Sequence, residues 1–190
     1  MILIGGSLGG AKAVQKLLHD LPPQFGPAIV VCLHRHRDSH DALRDHLQVD
    51  CSLAVEELID KQLLEPGRVY LAPPDYHALI ERGYVSLSID EPERYARPSI
   101  DVLFESGARI LGAGAIAVIL SGGGSDGARG AALIESRGGG VLVQDPATAQ
   151  SPEMPTAAIR ATRAALVAPL DRLAAALLEL TQTRWEVKNG

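Results

Sequence analysis

Ile2-Leu3-Ile4-Gly5-Gly6-Ser7-Leu8-Gly9-Gly10 is an apolar run, then a glycine-rich turn around a serine, and it leads into a helix-periodic stretch from Ala11 to His19. A short apolar run of this kind reads as a buried strand. Ala13, Val14, Leu17 and Leu18 recur at the spacing of one helix face. The unit is therefore strand, turn, helix. Gly5, Ser7 and Gly9 satisfy G-x-S-x-G, which sets a nucleophilic serine on a sharp turn whose small neighbours avoid a clash. The first N–H groups of the following helix lie beside such a hydroxyl and can stabilise an oxyanion. A glycine-rich turn can equally close an ordinary βα unit or cradle a phosphate. The dinucleotide spacing fails, because Ser7 stands where the second glycine of G-x-G-x-x-G belongs, and the second strand ends in His34 rather than an acid. No Gly-Lys-Ser or Gly-Lys-Thr follows to make a Walker-type loop.

Working outward, Ala28 to Leu33 is a second buried strand, and Cys51 to Val55 and Val69 to Ala72 look like further ones. Residues 77–89, broken at Gly83, read as a hairpin. Ser99 can cap a helix running to about Gly112, with Asp101 favourably placed in its first turn. A strand over Ala115 to Leu120, a helix from about Ala128 to Arg137 and a strand over Val141 to Val143 follow. Two helices close the chain, the last over about Asp171 to Thr181 with Leu173, Leu177, Leu178 and Leu180 mostly on one side. Short apolar runs alternating with helices predict an α/β layered fold: a largely parallel sheet, helices on both faces and a small β-hairpin. The expectation is one domain over 1–190 with the hairpin inserted at 77–89.

Composition narrows the function. The 190 residues are 46% hydrophobic and 22% charged, with a net charge of -5, an ordinary globular mixture lacking the basic face that nucleic acid requires. The two cysteines, Cys32 and Cys51, encode neither a disulfide framework nor a zinc ribbon. The start lacks a secretory signal, and no apolar run approaches the roughly 20 residues of a membrane span. A cytoplasmic protein without membrane insertion is expected.

Six histidines occur, and position separates one of them. His34 directly follows the strand ending at Leu33, on the carboxyl edge where open α/β sheets bind ligands. Ser7 lies on the same edge, so His34 could take the seryl proton and return it to the leaving group. Asp126, in Leu120-Ser-Gly-Gly-Gly-Ser-Asp-Gly127, also lies just past a strand. A carboxylate there could hold the imidazole tautomer, although a helix-capping aspartate is the plainer reading. The order Ser, His, Asp differs from the Ser, Asp, His of α/β-hydrolases. A rival metal centre would use His34, His36 and His40, close to H-x-H-x-D-H but with one residue too many, and with no histidine beyond His77 to complete it. The plain reading of residues 35–38 is a solvated loop, whose charged residues can also line the rim of the substrate cleft.

Together these pieces resemble the catalytic domain of the bacterial chemotaxis protein-glutamate methylesterase family over nearly the whole chain. The matching segments are Ile4 to Gly10, the strand ending at His34, Pro66 to Pro73, Arg97-Pro-Ser-Ile-Asp-Val-Leu-Phe104, Leu120 to Gly127 and Gln144 to Pro155, in the family's order. The resemblance implies a Rossmann-like three-layer scaffold, Ser7 as nucleophile, His34 as general base and Asp126 as orienting acid. It places the oxyanion donors at the backbone of Leu8 and Gly123 and implies no cofactor and no metal. The implied reaction is hydrolysis of glutamate methyl esters on the cytoplasmic domain of methylated chemoreceptors, with deamidation of glutamine by the same machinery. Leu8, Gly123 and Ser125 depart from the family's threonine, methionine and asparagine, and Arg35-His36-Arg37 departs from its Met-Pro turn. The added cations would favour an acidic partner surface. The family's receiver domain is absent from these residues. Besides the methylesterase, a receptor-binding adaptor without catalysis and a metal-dependent hydrolase remain open readings.

Overall fold

The structure, a computed structural model, describes residues 1–35 and 42–189, the side chains of 184–189 excepted. In chain order the elements are β1 (Ile2–Gly6), α1 (Gly10–His19), β2 (Ile29–Leu33), α2 (Ala42–Val49), β3 (Ala54–Glu57), β4 (Gln62–Leu63), β5 (Arg68–Leu71), β6 (His77–Ile80), β7 (Tyr84–Ser88), α3 (Ile100–Leu111), β8 (Ile116–Ile119), α4 (Ala128–Ser136), β9 (Gly140–Gln144), α5 (Glu153–Ala161), β10 (Leu166–Ala168) and α6 (Leu173–Asn189). Seven strands form one sheet in the order β10-β9-β8-β1-β2-β5-β3. Every neighbouring pair in it is parallel. A second sheet, β4-β7-β6, is antiparallel and contains the expected hairpin.

The central strands are apolar along their whole length because each is covered on both faces, as a parallel sheet with crossover helices requires. Alternation assigns the faces. Ile2 and Ile4 of β1 point to a cluster with Val14, Leu17 and Leu18 of α1, Leu47 of α2 and Leu173 and Leu177 of α6. Leu3 points the other way, among Ile100, Leu103 and Phe104 of α3, Ile134 of α4, Met154 of α5 and Ile80 of the small sheet. Three layers result, with β1 at the centre.

Differences from the sequence reading gather at the sheet edges. The strand expected over Cys51 to Val55 lies at Ala54–Glu57, while Cys51 and Leu53 enter the core from the preceding turn. α2, β4 and β10 were not anticipated. Leu166 and Val167 of β10 are exposed and pair on one side only, so neither burial nor alternation marks them. α6 continues past Thr181 to Asn189.

Gly5 is required by packing: a Cβ there would lie 2.3 Å from Cγ2 of Ile100. Gly5→Ala is therefore expected to lower stability by about 1–3 kcal/mol through overpacking, seen as an earlier midpoint in urea with unchanged slope.

Candidate active site

β1 lies between β2 and β8, and the chain order reverses at the β1–β8 boundary. At such a switch point the loops after neighbouring strands diverge and leave a crevice at their carboxyl ends. The turn after β1 carries Ser7, the residue after β2 is His34, and the loop after β8 carries Asp126. Register brings the first two together. Gly6 pairs with Leu33, and the His34 N–H donates to the Gly6 carbonyl at 3.1 Å. Ser7 N–H donates to the Ser121 carbonyl at 2.9 Å, which ties the turn to the third loop.

The serine turn is closed by the Gly10 N–H donating to the Ser7 carbonyl at 2.7 Å. Gly9 adopts φ 81°, and a Cβ there would sit 2.7 Å from both Cβ of Gln150 and Oγ of Ser121. Both facts demand glycine. The Ser121 hydroxyl donates to the Leu8 carbonyl at 2.7 Å and accepts from the Ser151 N–H at 2.9 Å, while the Ser121 N–H donates to buried Gln144. This buried polar network braces the turn from behind. Ser121 and Gln144 lie in two of the quoted motif segments, but no local pattern assigns them this role, since their partners lie up to 113 residues away. Among the described residues the backbone N–H groups of Leu8 and Gly123 have no hydrogen-bond partner. The Leu8 side chain is exposed.

His34 Nε2 lies 2.8 Å from Asp126 Oδ2, so the ring donates there and its Nδ1 carries the lone pair. Asp126 accepts three more bonds: from Ile100 N–H at 2.8 Å, Asp101 N–H at 2.9 Å and Ser99 Oγ at 3.0 Å. It therefore caps a helix as well as orienting the histidine. That helix is α3 and not the adjacent α4, whose N-cap is Gly127 without a side-chain bond. Burial pushes the Asp126 carboxyl up, but the bond from His34 and those from the Asp101 and Ile100 N–H groups outweigh it and hold the group below its ordinary value. The carboxylate is thus a fixed anion.

Of the predicted residues, the structure joins His34 to Asp126 directly and sets Ser7 and His34 each one residue past the ends of the adjacent strands β1 and β2. The Ser7 hydroxyl and His34 Nδ1 make no hydrogen bond to any described residue. Ser99 caps α3 as expected, through Val102 N–H. Asp101 lies in the first turn of α3 as expected. It is fully buried, accepts from the Gly130 N–H, and burial raises its pKa.

Arg35 also corrects the reading of a solvated loop. Its side chain is buried and donates to Glu57 Oε1 at 2.9 Å and to the Ala72 carbonyl at 2.7 Å. His77 is structural: Nδ1 accepts from the Ser99 N–H and Nε2 donates to the Glu91 carbonyl, which satisfies a neutral ring. Cys32 is buried in β2, where burial and then the Asp126 charge push its thiol well up, so it offers no thiolate. In the metal alternative, the His34 Nε2 is already bonded to Asp126, and His36 and His40 lie outside the described residues. Among the described residues no three His, Cys, Asp or Glu side chains cluster to hold a metal ion, and no helix is long and apolar enough to cross a membrane.

The same arrangement of strands and loops recurs in known proteins. The catalytic domain of Thermotoga maritima CheB methylesterase superposes with a TM-score of 0.87 at 31% identity, over 94% of this chain and 97% of that domain. A protein of Leptospira interrogans is 41% identical over 97% of this chain and 96% of its own length, and carries the name protein-glutamate methylesterase/protein-glutamine glutaminase provisionally. The protein of that name from Nitrosospira multiformis is 36% identical over all of this chain but only 54% of its own length. Residues 2–177 match the family model described as CheB methylesterase, and with the fold in agreement the chain belongs to the CheB methylesterase family.

Proposed function

We propose that this chain is a serine hydrolase that converts glutamate methyl esters to glutamate, and glutamine to glutamate, on the cytoplasmic domain of chemoreceptors. The observation that carries this reading is the His34–Asp126 hydrogen bond at the carboxyl edge of the sheet, one strand from Ser7.

The geometry suits acyl transfer. With Nε2–H committed to Asp126, His34 Nδ1 is the basic nitrogen available to Ser7. As the proton passes from Ser7 Oγ to Nδ1, Oγ bonds to the ester carbonyl carbon, and the negative charge moves to the carbonyl oxygen. The N–H groups of Leu8 and Gly123 are the donors proposed to hold that oxyanion; loss of one such donor costs about 3 kcal/mol in other hydrolases. Collapse breaks the carbon–oxygen bond to methoxide, which takes the proton from His34 and leaves as methanol. Water then attacks the seryl ester as His34 accepts its proton, and collapse breaks the carbon–Oγ bond, with His34 returning that proton to Ser7 Oγ as glutamate is released. With an amide in place of the ester, ammonia is the leaving group. Asp126, held as an anion, stabilises the imidazolium in every step.

Incubation of the protein with a methylated receptor cytoplasmic domain is expected to release methanol, and mass spectrometry is expected to find glutamine converted to glutamate at the same class of sites. Binding without either product would overturn the proposal and favour the adaptor. Gly122 offers a check on geometry. A Cβ there would meet Met154 Sδ at 2.8 Å and Ser7 Cβ at 3.0 Å, so Gly122→Ala is expected to displace Ser7 and lower kcat by about 100-fold. A kcat within twofold of wild type would show that the serine does not depend on that contact.

A further inference from the structure

A cavity of about 340 Å³ opens directly beside His34, between that strand end and the loop before α3; its lining is His34, Arg35, Tyr95, Ala96, Arg97 and Pro98. The loop is pinned over the site. Arg94 donates to Ser125 Oγ at 3.2 Å, Arg129 donates to Glu93, and Glu93 and Ala96 exchange backbone bonds around a tip where Arg94 and Tyr95 have φ 49° and 67°. Tyr95 at that tip is fully exposed. Non-glycine residues at positive φ are costly and persist where surrounding contacts impose them, commonly beside binding sites.

The two guanidinium groups in the cavity differ. Arg97 is spent on structure, with Nε and Nη2 on Asp75 and Nη1 on the Ile89 and Asp90 carbonyls. Among the described residues Arg35 bonds through Nη2 alone, to Glu57 and Ala72, and its Nε is a buried donor with no acceptor. Its side chain is only 7% exposed. A buried charged donor left unmade is costly, and the planar fork of arginine suits a carboxylate.

We propose that this cavity seats an acidic side chain of the substrate protein next to the scissile ester, with Arg35 as the specificity-determining residue. The inference rests on the esterase reading above and deepens it, because a carboxylate in the cavity positions the neighbouring glutamyl ester against Ser7. Glu57 competes for the same guanidinium, so the enzyme favours acid-flanked esters over neutral-flanked ones by an amount that Glu57 moderates.

The test compares two synthetic peptides carrying a glutamate methyl ester, one flanked by glutamates and one by glutamines, with methanol release as the readout. The wild-type ratio of kcat/KM is expected to favour the glutamate-flanked peptide by about tenfold. Arg35→Gln is expected to bring the ratio to about one, through KM. Glu57→Gln, on an edge strand, is expected to raise the ratio above wild type. A wild-type ratio near one, or a ratio unchanged in Arg35→Gln, would overturn the proposal. Should Arg35→Gln not fold, an unchanged ratio in Glu57→Gln does the same. Equal methanol from both peptides removes this inference alone, whereas no methanol from either, with Ser7 unlabelled by a fluorophosphonate, removes the esterase reading and this inference with it.

Discussion

Ser7→Ala is expected to reduce kcat for methanol release by about a millionfold, the order found when a catalytic serine is removed from other hydrolases. The fold should not register the change. The Ser7 hydroxyl bonds to no described residue, and the turn is held by the Ser7 backbone N–H and carbonyl. A substitution that removes no buried contact stays within about 0.5 kcal/mol. Thermal midpoints of the two proteins should therefore coincide while turnover separates. The residual rate should still exceed that in water, because the oxyanion donors proposed at the Leu8 and Gly123 N–H groups do not depend on the hydroxyl. A fluorophosphonate should label wild type at Ser7 and leave the variant unmodified. Turnover within tenfold of wild type would assign the nucleophile elsewhere.

The sequence made the centre of this molecule legible and left its margins obscure. β1, β2 and β8 are buried on both faces, so their apolar runs are continuous and their ends sharp. Ser7 and His34 could be picked out because each follows such an end within one or two residues. β3 and β10 pair on one side only, and their residues carry mixed polarity that fits a turn as well as a strand. Long-range polar pairing was equally hidden. Arg35 reads as a solvated cation until Glu57, 22 residues away, is brought against it by β3 and β5. The Asp126 carboxylate bonds both to His34 and to the first N–H groups of α3, which starts 26 residues earlier in the chain. No local pattern encodes that contact.

This double duty makes Asp126→Asn the most informative substitution after Ser7→Ala. Turnover is expected to fall about ten-thousandfold, as when the orienting aspartate of a serine protease becomes asparagine and the wrong histidine tautomer is held. Here stability should fall as well. The carboxylate accepts from His34, Ile100, Ser99 and Asp101, and an amide keeps only one accepting oxygen, so its nitrogen must meet donors. With the nitrogen facing His34 the ring answers by changing tautomer and the Ile100 N–H is left stranded; a buried donor left unmet costs about 1–3 kcal/mol, so a loss of that size in urea unfolding is expected. The pH dependence carries the sign. The folded Asp126 carboxyl is held below its ordinary value, so its contribution is complete above the unfolded value of about 4. It is lost as pH falls through the folded value. Asp101 is shifted the opposite way, but it is present in both proteins and largely cancels from the difference. The gap between wild type and Asp126→Asn should therefore be constant above about pH 4 and narrow below it. A gap that ignores pH would mean that the carboxylate charge does not hold α3, and an undiminished rate would mean that it does not orient His34.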